Sequence, residues 1–313
     1  MDTGFYVGPL GLLLPLPDVS SAVEVATDRI GSSSRSLMGR QWRDTLGYQR
    51  TWTWKWLDLL PSQLPYVEAL STGMVPGPLR LIDPRRANRL PEQVASGGSR
   101  SRSPDGFAVT SGGLTYRNLR SVEPDPATLG PRALLRGCIE WGRSAGGDGL
   151  LYPVTPDGEP WQVPVLPEQP LELSCWVAGK AGLTVGIVWD EYDEDGNASS
   201  HSSDADGDEV ELQSGAWQQL VVNVLPSDLS AGLVPMLMTP PGAPSGVVLT
   251  TAWQVAALDA EEPPVGLWSG RVPVEQAAGW RIGGGAPFVV ADPIASTYVR
   301  YGFHDAGLVL VET

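Results

Sequence analysis

The chain has 313 residues, enough for two domains with real cores, and carries a net charge of −15. That balance argues against non-specific nucleic-acid binding and against docking on anionic lipid, both of which need a basic footprint. Only 18% of residues are charged, and glycine (37) with proline (29) makes up about a fifth of the chain, a composition of short strands and many turns.

The N-terminal apolar stretch, Val7 to Pro17, is short, broken by Gly and Pro, and has no basic segment before it. It does not read as a signal peptide, and no run of eighteen apolar residues forms a membrane span. Synthesis in a cytoplasm is expected, with any outside role reached by assembly or lysis.

Residues 21–30 alternate as a strand, with Val23 and Val25 on one face. Trp52, Trp54 and Trp56 then recur at two-residue spacing. In a strand they share one face, and Thr51, Thr53 and Lys55 share the other. They read as sheet core; the alternative places one or more at a subunit interface, where Trp is enriched among hot spots. Arg40, Arg43 and Arg50 nearby would suit the acidic surface of a neighbour.

Ser62 is positioned to cap a helix over 63–72, with Leu64, Val67 and Leu70 on one side, Pro65 tolerated in the first turn and Gly73 as the stop. A short strand over 79–82 ends at Asp83-Pro84. Residues 91–106 are polar and rich in Gly and Ser, and a domain joint is expected there.

Strands are expected at 133–141, 170–178, 183–192, 216–225, 232–238 and 246–257, with turn signals between them and no strong amphipathic helix. That pattern means a sandwich or jelly roll. A second joint falls at Glu261-Glu-Pro-Pro264. The last ~45 residues look β but are too short to bury a core alone, so they should pack on the tryptophan-strand domain. The expected fold class is therefore mainly β. A β-sandwich-like domain with one short helix, 1–95 and 265–313, is interrupted by an antiparallel jelly roll over 96–264.

Cys138 and Cys175 each lie in apolar runs, as inert buried thiols do. The stretch 190–211 is dense in carboxylates, and Asp193, Asp195, Asp204, Asp206 and Asp208 are the candidate ligands for a structural Ca²⁺. The spacing fails the calcium-loop pattern: with Gly196 sixth the twelfth residue is Ser202, and with Gly207 sixth it is Leu212. A solvated acidic loop is the simpler reading, with no cofactor. Trp161, Trp189, Tyr192 and Trp253 are candidates to stack on a sugar ring, while Trp176 and Trp217 read as core. No Gly-x-Ser-x-Gly, His-Glu-x-x-His or phosphate loop is present, and there are two histidines, so no enzyme is expected.

Three stretches carry a resemblance. They are Gly39-Arg-Gln-Trp-Arg-Asp-Thr-Leu-Gly-Tyr-Gln-Arg-Thr-Trp-Thr-Trp54, Tyr66-Val-Glu-Ala-Leu70 and Gly77-Pro-Leu-Arg-Leu-Ile-Asp-Pro-Arg-Arg-Ala-Asn88, joined by the closing Val309-Leu-Val-Glu-Thr313. Together they resemble the distal or minor tail proteins of long-tailed actinobacteriophages. The resemblance implies a virion protein at the tail tip, assembled as a homo-oligomeric ring, a hexamer before a trimer, beside the tail tube and tail hub. Leu173 to Val185, Asp195-Gly196 and Ser214 to Val222 resemble carbohydrate-binding modules, which implies a jelly roll able to touch host glycan. Jelly rolls of this type often hold a structural Ca²⁺. The alternative from another class is a free-standing carbohydrate-binding or glycan-hydrolysing protein.

Overall fold

The computed structural model describes residues 4–18, 22–31, 33–35, 41–43, 47–99, 101–122, 129, 135–144, 149–198, 209–258, 281, 283–292, 296–300 and 303–313. It divides into two units, one of Met1–Ile82 with Pro287–Thr313 and one of Asp83–Ala286.

The first unit opens with β1 (Tyr6–Gly8), β2 (Leu14–Pro15), β3 (Glu24–Ile30), β4 (Ser33–Arg35), β5 (Gln41–Arg43), β6 (Gly47–Leu59), α1 (Leu64–Ser71) and β7 (Leu79–Ile82). The second follows with α2 (Glu92–Ala95), β8 (Phe107–Val109), β9 (Gly113–Asn118), β10 (Gly137–Arg143), β11 (Gly149–Pro153), β12 (Val163–Pro164) and β13 (Leu171–Gly179). It continues with β14 (Thr184–Tyr192), β15 (Val210–Glu211), β16 (Gln218–Val224), β17 (Gly232–Thr239) and β18 (Gly246–Ala257). The chain then returns to the first unit with β19 (Phe288–Ala291), β20 (Ser296–Arg300) and β21 (Phe303–Glu312).

In the first unit one antiparallel sheet runs β2-β1-β7-β19-β21-β6-β3, with β20 on β21, while β4 and β5 pair separately. The closing strand lies against the tryptophan strand: Trp52 is opposite Leu310, Trp54 opposite Leu308 and Trp56 opposite Ala306. All three indoles are buried, at 0%, 0% and 2% exposure, among Leu64, Val67 and Leu70 of α1. Phe5 meets Trp54 edge-on, with ring centroids 5.4 Å apart. A buried Trp removes about 200 Å² from water, worth about 5 kcal/mol before the entropy of ordering, so this row dominates the core. The three tryptophans therefore leave no surface for a neighbouring chain, and the interface alternative is corrected for them. At the sheet's edge, by contrast, every residue of β3 is exposed.

The helix starts at Leu64 with Gln63 at its N-cap, not Ser62. Gln63 makes no cap bond; its Oε1 accepts from the Leu60 N–H at 3.2 Å, stitching the preceding turn. Gly73 stops the helix in the left-handed region (φ 70°), which lets the Met74 N–H reach back to the Ala69 carbonyl.

In the second unit a five-stranded sheet, β16-β13-β18-β10-β9, faces a six-stranded one, β15-β14-β17-β11-β8 with β12 on β17. Leu171, Leu173, Cys175, Val177 and Trp141 on one sheet, and Val185, Leu151, Leu233 and Leu237 on the other, are wholly buried. Between Thr251 and Gln254, β18 carries two residues opposite the single Cys175 of β13. Ala252 takes a left-handed backbone there (φ 54°), and Trp253 packs on Phe107, centroids 5.6 Å apart.

The unit boundaries fall at 82/83 and 286/287, not at 95/96 and 264/265. The reason is Asn88, fully buried, whose amide donates to the carbonyls of Trp253 (3.0 Å) and Arg281 (2.9 Å) and accepts from the Val255 N–H (3.2 Å). Arg89 adds bonds to Val255 and Pro164. The stretch 91–106 is likewise no open joint. Val94 and Ala95 are buried, and Gly97 and Gly98 come so close to Thr251 and to the Ser103 carbonyl that a side chain would collide. Residues 259–280, which hold the second expected joint, lie outside the described residues.

Candidate functional site

Register fixes the two faces of the six-stranded sheet. Ile187 is opposite Leu237, Trp189 opposite Pro235 and Glu191 opposite Leu233; these share the core face. Val188 with Met236, Asp190 with Val234 and Tyr192 with Gly232 share the other. Leu150 and Tyr152 of β11 join that second face, because Leu150 pairs with Met238. Gln162 stands over Gly232, where a Cβ would meet its side chain at 3.1 Å.

This second face is half-covered instead of sealed. Tyr152, Tyr192, Asp190, Gln162, Val188 and Leu150 are all partly exposed. Burial raises the Tyr192 phenol, and Asp190 and Tyr152 raise it further, which places the three groups within electrostatic reach. Burial also holds the Asp190 carboxyl above its usual range. Two phenols, a carboxyl and an amide thus project from an apolar floor, the composition of a site that orients a ligand by a few polar groups.

One end of the face is braced by Glu191. Its carboxylate, 4% exposed, accepts from the Ser227 N–H (3.0 Å), the Ser227 hydroxyl (2.7 Å), the Ser230 hydroxyl and the Trp189 indole (3.4 Å). Burial pushes this carboxyl up, but those hydrogen bonds outweigh it and hold it below the usual range. Ala231 then donates to the Tyr192 carbonyl at 2.8 Å, tying the 225–231 loop to the same strand.

Of the predicted sugar-stacking residues, Tyr192 lies on this face. Trp253 is 1% exposed and stacks inside the core, and Trp189 (8%) sits on the core side of its strand. Trp161 is 9% exposed in the loop after the Val154–Pro160 bridge. An indole needs an open face to stack on a pyranose, so all three tryptophan assignments are corrected to packing roles. Tyr152 and Gln162 were not singled out in the sequence, because Gly149-Leu-Leu-Tyr-Pro153 has no apolar–polar alternation to mark a face and only the structure's burial alternates there.

Asp193 folds back on its own turn, accepting from the N–H groups of Asp195 (3.0 Å) and Asn197 (2.8 Å) and from the Asn197 amide. Those bonds hold its carboxyl below the usual range. Asp193 thus closes a turn that includes Asp195, and no three metal-ligating side chains gather among the described residues. Asp204, Asp206 and Asp208 lie outside those residues, as does Arg40; the side chain of Arg43 is also outside them. Arg50 is nearly buried and engaged with Glu312 at 2.9 Å, so it is not offered to a neighbour. Cys138 and Cys175 are free thiols, both buried. Among the described residues no helix is long and apolar enough to cross a membrane.

No family model matches the chain, and no curated protein does. Solved structures are similar in part. The enzymatically active domain of bacteriophage CBA120 tailspike protein 4 matches at a TM-score of 0.39 and 10% identity, over 56% of this chain and 22% of that one. The CBM22-1 xylan-binding domain of Paenibacillus barcinonensis Xyn10C matches at 0.34 and 13%, over 50% of this chain and 87% of its own. TmCBM61, solved with β-1,4-galactotriose, matches at 0.32 and 11%, over 54% and 98%. At these scores the likenesses carry no argument about ligand or reaction.

Proposed function

We propose that this chain is a structural protein of a phage particle, a distal or minor tail protein, whose first unit assembles and whose second unit offers a glycan-binding face. The observation that carries the glycan reading is the placement of Tyr152, Tyr192 and Asp190 on one half-open face of the six-stranded sheet. A pyranose has an apolar face that suits a phenol ring, and its hydroxyls suit Asp190 and Gln162. The tail reading rests on the tryptophan-strand resemblance. The wholly exposed edge strand β3 supports it, since an uncovered edge is a surface for further chains.

In this reading the protein works by assembly and attachment, without turnover and without a resident cofactor. A hexameric ring is favoured over a trimer, set between tail tube and tail hub, and its repeated copies turn weak sugar contacts into avidity. Glycan-array binding of the full chain, repeated with Tyr152→Ala and Tyr192→Ala, tests the face: each change should weaken binding about tenfold. Binding that survives both would remove the face from the reading. Negative-stain images and sedimentation test the ring, and a strict monomer would favour a free-standing glycan-binding protein. A chelator should leave the melting temperature unchanged; a drop would return a metal to the acidic loop.

A further inference from the structure

Seven arginines but only four acids fall between positions 100 and 143, in a chain whose net charge is −15. The structure sets two of them, Arg102 and Arg136, within electrostatic reach of one tyrosine. Tyr116 of β9 is opposite Ile139 of β10, and its ring lies over Gly137, where any side chain would collide with it. Gly98 closes on the same ring, with a Cβ there 3.3 Å from Cδ2 of Tyr116. Two glycines therefore clear the space this ring fills, and the phenol stays partly exposed.

The backbone sets two arginines next to the glycines that pack on that ring. Arg136 directly precedes Gly137, and both of their N–H groups donate to the Ser99 hydroxyl, at 3.2 and 3.0 Å. Arg102 is tied to Gly98 through its own N–H (2.9 Å) and takes a left-handed backbone (φ 57°). That conformation is uncommon for any residue but glycine, and Glu168 and Ala252 share it. Arg120 follows Leu119, whose N–H donates to the Arg136 carbonyl at 3.0 Å. Burial holds the Tyr116 phenol above its usual range, and the charges of Arg102 and Arg136 each pull it back, so both act on it. Arg102, Arg120 and Arg136 are exposed, and among the described residues no carboxylate pairs with them. Arg117, on the opposite face of β9, is spent on Glu140 at 2.7 Å.

Like-charged guanidiniums repel one another, and their forked N–H groups match the paired oxygens of phosphate or carboxylate. We propose that Arg102, Arg136 and Tyr116 form a binding site for the oxyanions of an acidic polymer, either a polyphosphate chain or a uronate-bearing polysaccharide. The two arginines grip one oxyanion, the phenol donates to it, and Arg120 extends the positive strip toward the next repeat. This site lies on β9 and β10 of the five-stranded sheet, whereas the proposed glycan face lies on the six-stranded sheet. The two readings stand or fall separately.

Fluorescence anisotropy of the full chain with labelled polyphosphate, polygalacturonate and neutral dextran tests it at low and near-physiological salt. An acidic polymer should bind in a salt-sensitive manner and dextran should not. Polyphosphate alone would name phosphate as the ligand, and polygalacturonate alone would name carboxylate. Arg102→Gln and Arg136→Gln should each weaken binding about tenfold, with folding checked by an unchanged melting temperature. Tyr116→Phe keeps the ring and should weaken binding less, and Arg117→Gln should change it by less than about twofold. Equal binding by wild type and the double arginine variant overturns the site, as does equal binding of dextran. No acidic polymer bound also overturns it; self-association lost in the double variant would then assign the arginines to the acidic surface of a second copy.

Discussion

Arg50 and Glu312 form a forked pair, with Nε donating to Oε2 and Nη2 to Oε1, both at 2.9 Å. The Arg50 N–H adds a third bond to the same carboxylate at 3.1 Å, and the guanidinium lies 5.0 Å from the centre of the Trp52 ring. The pair therefore closes the tryptophan row at its open end, using one residue from each half of a unit that another unit interrupts. Glu312→Ala strands a nearly buried guanidinium and should cost about 1–3 kcal/mol in urea denaturation followed by tryptophan emission. A loss under about 0.5 kcal/mol would class it with ordinary surface pairs.

Glu191 ties acid stability to the second unit. Its carboxyl is held below the usual range when folded, so its contribution is fully present above the unfolded value and lost as pH falls through the folded one. Glu191→Gln should lower the melting temperature at neutral pH and flatten its fall below about pH 4. Parallel curves for variant and wild type would mean that other carboxylates govern acid unfolding.

The thiols should be inert while the fold holds. Burial pushes both Cys138 and Cys175 up to about 12, so almost no thiolate exists at pH 8. Iodoacetamide should label neither cysteine in the native protein and both in urea. Rapid native labelling of Cys138 would show that β10 opens locally.

The ends of the second unit lie side by side. The Asp83 N–H donates to the Gly285 carbonyl at 2.9 Å, and one step outward the Leu81 N–H donates to Pro287 at 3.1 Å. Replacing 83–286 by a short glycine-containing turn should leave a first unit that unfolds cooperatively with buried tryptophan emission. An aggregated or unfolded product would mean that this unit needs its insertion to stand.

Period-two patterning made the long strands legible. Trp52, Trp54 and Trp56 announce one face, and β13, β14 and β18 start within a residue or so of their expected positions. Short strands such as β1, β8 and β11 carry too few residues to show a period, and their pairing is decided by neighbours distant in sequence. The joint at 91–106 misled because Gly97 and Gly98 read as flexibility when their role is close approach. The candidate face was half legible: Tyr192 stood out in an aromatic, acidic strand, but whether a Trp is open or sealed depends on which side of the sheet is covered. The arginine cluster was invisible for the same reason, since Tyr116 comes beside Gly137 and its neighbour Arg136 only once β9 and β10 pair.

The pairing of β6 with β21 also sets an order of events on the ribosome. Every contact of the second unit can form before Leu308 and Leu310 are translated, while the tryptophan row has no partner strand on that side until they emerge. Nascent chains thus carry three indoles without their β21 neighbours through the synthesis of roughly 250 further residues, a long closure that slows folding and invites misassociation. Chaperone occupancy on stalled nascent chains should accordingly persist until the last strand is released.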